Sequence, residues 1–124
     1  MNNEKISLLE TKFSHGRAID EQLEFLKEQL GENKNISVFL EESKKSDEGI
    51  ISIGRGVFMK AKLEGDSFYV NVGAGVFLKK SFEDTNKIVE EQISKLRELT
   101  YRLTQEAQKN NAEMQKLIEE IEQK

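Results

Sequence analysis

The chain has 124 residues and a formal net charge of −4, with 36% apolar and 34% charged residues and neither cysteine nor proline. That length suits one small domain, but the apolar supply is thin for a globular core and closer to a long-helix composition. Without cysteine there is no disulfide frame and no thiolate metal site, and the acidic balance counts against nucleic acid, whose phosphates need a basic stripe.

The opening residues Met1 to Lys5 are not followed by an apolar run, so no secretory signal is read there. No stretch approaches the ~20 apolar residues that span a bilayer. The expectation is a cytoplasmic protein with no membrane partner.

The first segment, about residues 5–46, reads as a coiled-coil helix. Leu9, Leu23 and Leu30 fall on one seven-residue series and Ile19, Leu26 and Leu40 on a second, the three-and-four spacing of a seam. Ser7-Leu8-Leu9-Glu10 resembles a capping box, which places regular helix from near there. Gly16 and Gly31 each cost about 1 kcal/mol relative to alanine. Asn33 and Ser37 occupy seam positions, and the apolar residues change phase after Gly31 to Ile36, Phe39 and Leu40. That change is read as a stutter; the alternative is two shorter helices broken near Gly31 to Asn35.

Residues 49–80 read as short strands. Ile50 to Ile53 is an apolar run and Gly54-Arg55-Gly56 a turn. Val57, Met59, Ala61 and Leu63 then alternate with Phe58, Lys60 and Lys62, the period of a half-buried strand. Gly65-Asp66 suits a tight hairpin turn. Phe68, Val70 and Val72 alternate with Tyr69 and Asn71, Gly73-Ala74-Gly75 turns again, and Val76 and Leu78 follow. Such strands make one apolar face and two bare edges, liabilities that another chain normally covers. Subunit assembly is therefore expected through Val57, Met59, Leu63, Phe68, Val70, Val72, Val76 and Leu78.

Residues 82–124 form the second coiled-coil helix. Ser81 is an N-cap, with Asp84 in the first turn where the dipole favours negative charge. Val89, Ile93, Leu96, Thr100, Leu103, Ala107, Asn110, Met114, Leu117 and Ile121 step by four and three without a break. Antiparallel pairing with the first helix would set Phe82 near Lys45, Asn110 beside Gly16, and Met114 near Phe13. The layer at Gly16, Ala107 and Asn110 is small and polar. Beyond it the helices carry Ile6, Leu8, Leu9, Phe13, Met114, Leu117, Ile118 and Ile121. A weak layer followed by apolar ends suggests arms that splay and grip exposed hydrophobic segments, although these residues also suffice to complete the coil. Leu8 and Ile118 lie off the seam and add apolar area that the coil does not require.

Catalytic chemistry is not indicated. The two GxG matches lack the third glycine of a dinucleotide fingerprint and the lysine of a P-loop. His15 is the single histidine and has no partner ligand for a metal. No enzyme, metal or cofactor is expected. The fold class is α+β: a long antiparallel coiled-coil hairpin with a four-stranded assembly region of two β-hairpins between the helices, in one domain over residues 1–124.

Gly56-Val57-Phe58-Met59-Lys60-Ala61-Lys62-Leu63 and Phe68-Tyr69-Val70-Asn71-Val72-Gly73-Ala74-Gly75-Val76-Phe77-Leu78-Lys79-Lys80-Ser81 closely resemble the hairpin region of prefoldin alpha-class subunits. The resemblance implies an ATP-independent co-chaperone, in hexamers of two alpha-class and four beta-class subunits. It also implies that unfolded proteins are gripped at the coiled-coil tips and passed to a group II chaperonin. The alternative is a structural or filament-forming prefoldin-like scaffold without client transfer.

Overall fold

Two long helices flank four strands in the chain order α1 (Asn2–Lys45), β1 (Glu48–Gly54), β2 (Val57–Lys62), β3 (Ser67–Gly73), β4 (Val76–Ser81) and α2 (Phe82–Glu122). The structure is a computed structural model and describes residues 2–64 and 67–123. The chain divides into two compact units, Met1–Leu30 with Lys95–Lys124, and Gly31–Ser94.

α1 is one unbroken helix through Gly16 and Gly31, and it begins at Asn2, ahead of the capping-box sequence. The stutter expected after Gly31 is absent. Lys5, Leu9, Lys12, Gly16, Ile19, Leu23, Leu26 and Leu30 are buried or half-buried, and Asn33, Ser37 and Leu40 carry the same three-and-four steps onward. Of Ile36, Phe39 and Leu40, whose apolar character suggested a phase change, Ile36 is 44% exposed, Phe39 half-buried and Leu40 buried. Helical periodicity decides which residues face inward, and the seam accepts two polar residues to keep step.

α2 follows its sequence pattern throughout, each expected seam residue from Val89 to Ile121 being buried or half-buried. The Asp84 amide donates to Ser81 Oγ at 3.1 Å, the N-cap bond expected of that serine. Inward hydroxyls on this helix are satisfied by carbonyls four residues back: Thr85 Oγ1 donates to Ser81 O and Thr100 Oγ1 to Leu96 O.

In the first unit the helix segments run antiparallel. Lys5 faces Glu120, Lys12 faces Glu113 and His15 faces Glu106, so partners descend along α2 as α1 ascends. Asn110 is 4% exposed, and its Nδ2 donates to the backbone carbonyl of Lys12 at 2.9 Å. A Cβ on Gly16 would lie 3.1 Å from that nitrogen. Glycine at this position therefore admits the amide to the α1 backbone. Phe13 is 58% exposed, and Lys12 holds the seam position beside it.

In the second unit Leu40 is 1% exposed, and Val89, Thr85 and Asn33 are also buried. Lys44 Nζ stands 4.3 Å above the Phe82 ring, which joins the end of α1 to the start of α2. Phe68 meets the same ring at 6.2 Å between centroids.

The strands form two separate two-stranded antiparallel sheets, β1 with β2 and β3 with β4. β2 and β3 do not pair, so the four strands do not share the single face expected from their alternation; the hairpin turn read at Gly65-Asp66 lies outside the described residues. Both observed hairpins close through two-residue turns with positive φ, Arg55 (52°) and Gly56 (76°), then Ala74 (50°) and Gly75 (73°). Paired positive φ is the turn geometry that matches strand twist, and a residue with a Cβ is disfavoured at its first position.

Three substitutions test these local readings. Gly31→Ala meets nothing within 4 Å and should stabilise the helix by about 1 kcal/mol, whereas Gly16→Ala should gain little because Asn110 Nδ2 must move. Ala74→Asn should raise stability on the order of 1 kcal/mol by easing the left-handed penalty. Thermal melts followed by circular dichroism measure all three.

Candidate functional site: exposed apolar hairpins and helix-end residues

The hairpins of the second unit are the main unsatisfied surface. Of the expected assembly residues, Val57, Met59, Val72, Val76 and Leu78 are exposed at 54%, 61%, 52%, 51% and 44%. Leu63, Phe68 and Val70 are half-buried. Leu63 packs close to Gly49, where Phe39 also approaches, and Phe68 lies against Phe82, so these two already serve the chain's own folding. None of the sheet residues is fully buried, and an isolated two-stranded sheet is marginal in water.

Phe58 and Phe77, which stand between the expected assembly residues, are 63% and 60% exposed apolar rings, and Tyr69 is 71% exposed. Cross-strand register explains why they matter. Ser52 pairs with Phe58, Ile50 with Lys60, Asn71 with Phe77 and Tyr69 with Lys79. The second face of each hairpin therefore also combines apolar groups with a lysine, and the signal was present in sequence as aromatic residues at the intervening positions.

In the first unit the apolar residues near the start of α1 and the end of α2 divide into two groups. Ile6, Leu8 and Phe13 are exposed, at 41%, 48% and 58%, and contribute nothing to the seam. Leu9, Met114, Ile118 and Ile121 are half-buried, while Leu117 is 8% exposed and packs inside the pair. Along the same helices Phe25 and Leu99 are exposed and, with Ala18, Leu26 and Leu103, line an open cleft of about 500 Å³.

Charges clamp this end of the pair. Lys12 hydrogen-bonds and ion-pairs with Glu113, and that bond, followed by the lysine's charge, holds the Glu113 carboxyl below its ordinary range. His15 Nε2 lies 2.8 Å from Glu106 Oε1. Among the described residues no cluster of His, Cys, Asp or Glu is arranged to hold a metal ion, and no helix is long and apolar enough to cross a membrane.

Residues 14–124 match the family model for prefoldin subunits. The chain belongs to the prefoldin subunit family. Membership implies assembly with other prefoldin subunits, and the bare apolar hairpins have the chemistry such assembly needs. A comparison with curated proteins finds no match. Among solved structures, a cryo-EM structure of filamentous PFD from Methanocaldococcus jannaschii superposes with a TM-score of 0.70, covering 90% of this chain and 96% of that one at 19% identity. At that identity the likeness speaks for the prefoldin fold: two long helices joined through two β-hairpins.

The Glu113 shift carries a sign. A carboxylate with a lowered folded pKa adds stability above its unfolded pKa and loses it as pH falls through the folded value. Glu113→Gln should therefore show a shallower loss of melting temperature than wild type between about pH 5 and 3. Parallel melts across that range measure the difference, which should shrink in high salt because the pair is partly exposed.

Proposed function

We propose that this chain is an alpha-class prefoldin subunit acting as an ATP-independent co-chaperone by binding rather than catalysis. In this reading the single 1–124 domain divides its labour. Residues 49–80 join beta-class subunits, in a hexamer of two alpha and four beta chains. The coiled-coil ends hold nonnative proteins and deliver them to a group II chaperonin in the cytoplasm. The observation that carries the client role is the exposure of Ile6, Leu8 and Phe13, large apolar side chains at 41%, 48% and 58% that the helix seam does not use. Apolar surface of that kind marks an interaction site when it clusters. Leu9, Met114, Ile118 and Ile121 are half-buried beside them, and Leu117 joins the surface only if the helices part.

The second reading is a filament-forming scaffold without client transfer. It is favoured by the filamentous assembly of the similar archaeal structure.

One experiment separates the two. Ile6→Ser/Leu8→Ser/Phe13→Ser should leave assembly with partner subunits intact, while suppression of aggregation of a heat-unfolding protein falls at least severalfold. Light scattering measures the second effect and native mass spectrometry the first. Wild-type complexes that never suppress aggregation, together with filaments in electron micrographs, would favour the scaffold.

A further inference from the structure

One apolar surface of the first unit belongs neither to the helix ends nor, in the main, to the seam. It is the cleft of about 500 Å³ with Phe25 of α1 and Leu99 of α2 as its walls, 59% and 45% exposed, and the buried Leu26 deeper within it. The antiparallel pairing that sets Lys5 against Glu120, Lys12 against Glu113 and His15 against Glu106 brings Phe25 level with Leu99. Two large apolar side chains facing water with open space between them are surface that ordinarily meets a further apolar group.

The charges around this cleft are sorted by helix. On α1, Glu21 lies four residues before Phe25 and Glu28 three after it; on α2, Lys95 lies four before Leu99 and Arg102 three after it. Residues three and four apart share a helix face. Each wall residue is therefore bracketed by two like charges, acidic on the α1 rim and basic on the α2 rim. The same antiparallel pairing sets Glu21 level with Arg102 and Glu28 level with Lys95. All four are exposed, and among the described residues no ion pair crosses the cleft. Glu21, Glu28 and Lys95 have no ion-pair partner at all there, while Arg102 meets Glu98 at 2.6 Å along its own helix, an exposed pair that competes weakly. One turn beyond Arg102, Glu106 is already engaged by His15.

We propose that this cleft is a docking groove for one amphipathic α-helix of a partner protein, whose apolar stripe runs between a basic edge and an acidic edge, and that the two charged rims fix the direction in which that helix lies. The groove is separate from Ile6, Leu8 and Phe13 and does not rest on the client role proposed for them. A helix laid along the pair seats apolar side chains at steps of three and four between Phe25 and Leu99. Its basic edge falls beside Glu21 and Glu28, and its acidic edge beside Lys95 and Arg102. The rim charges are seven residues apart on each helix, two turns that an incoming helix matches with its own edge charges. Turning that helix end for end exchanges its edges and sets like charge against like, so one direction is selected. An extended segment sends alternate side chains to opposite faces and does not present an apolar stripe with two charged edges.

The test titrates the full-length chain with a synthetic three-heptad helix that has leucines at steps of three and four, lysines along one edge and glutamates along the other. Two comparison peptides carry lysine on both edges or glutamate on both. At low salt the mixed-edge helix should bind at least fivefold more tightly than either, and 0.5 M NaCl should erase most of that difference. Phe25→Ala/Leu99→Ala should weaken its binding at least tenfold. Glu21→Lys/Glu28→Lys/Lys95→Glu/Arg102→Glu should keep the affinity within about threefold but reverse the direction, so that a nitroxide on the peptide N-terminus broadens resonances at the opposite end of the cleft. All these positions are exposed, and circular dichroism verifies that each variant is folded. Ile6→Ser/Leu8→Ser/Phe13→Ser should leave peptide binding unchanged. Loss of binding in that variant would move the site to the helix ends and overturn the groove, without touching the client role. Equal binding of the three peptides, or an unchanged direction in the charge-exchanged chain, would overturn the sorting by charge. Self-association of the unaltered chain that Phe25→Ala/Leu99→Ala abolishes would give the cleft to a second copy and overturn the partner helix.

Discussion

The structure depends on how the helices spend a small stock of apolar side chains. Each helix turns its seam toward its partner at steps of three and four, and the two β-hairpins are left without a helical cover. A helix that committed a face to the sheets would lose its place in the seam, since one stripe cannot serve two directions. Ile50, Met59 and Phe77 are each at least 60% exposed as a result. Sheets of two strands have little to hold them once their faces stay wet, so the hairpins are complete only in the company of other chains.

Polar groups within the seam give the pairing its alignment. Asn110 reaches past Gly16 to a backbone carbonyl on α1. Sliding either helix by a turn would bury that amide against apolar neighbours, and an unpaired buried amide costs more than the bond contributes. Lys12 with Glu113 and His15 with Glu106 flank the same layer. Adhesion comes from Ile19, Leu23, Leu26 and Leu103, while position comes from Asn110 and the charges.

Much of this was legible in the residues because periodicity is a local property. The α2 seam from Val89 to Ile121 could be read step by step, as each inward position carries an apolar or small polar side chain. Gly56 and Gly75 announced turns, and the structure places them at positive φ. On α1 the reading failed beyond Gly31. Ile36 suggested a change of phase but faces solvent, while Asn33 and Ser37, read as polar seam positions, keep the seam in step. Hydrophobicity ranks residues by their taste for burial; it does not say which side of a helix a partner occupies.

The order helix, two hairpins, helix, the capping serine and the spacing of the seams were set by the amino-acid sequence itself, because each follows from contacts between near neighbours along the chain. Only the tertiary structure decided that β2 and β3 stay apart, that α1 runs unbroken, and which apolar residues remain exposed. Those outcomes depend on groups distant in sequence competing for the same space. The exposed groups, on the hairpins and near the helix ends, are where the chain has chemistry left to offer a partner.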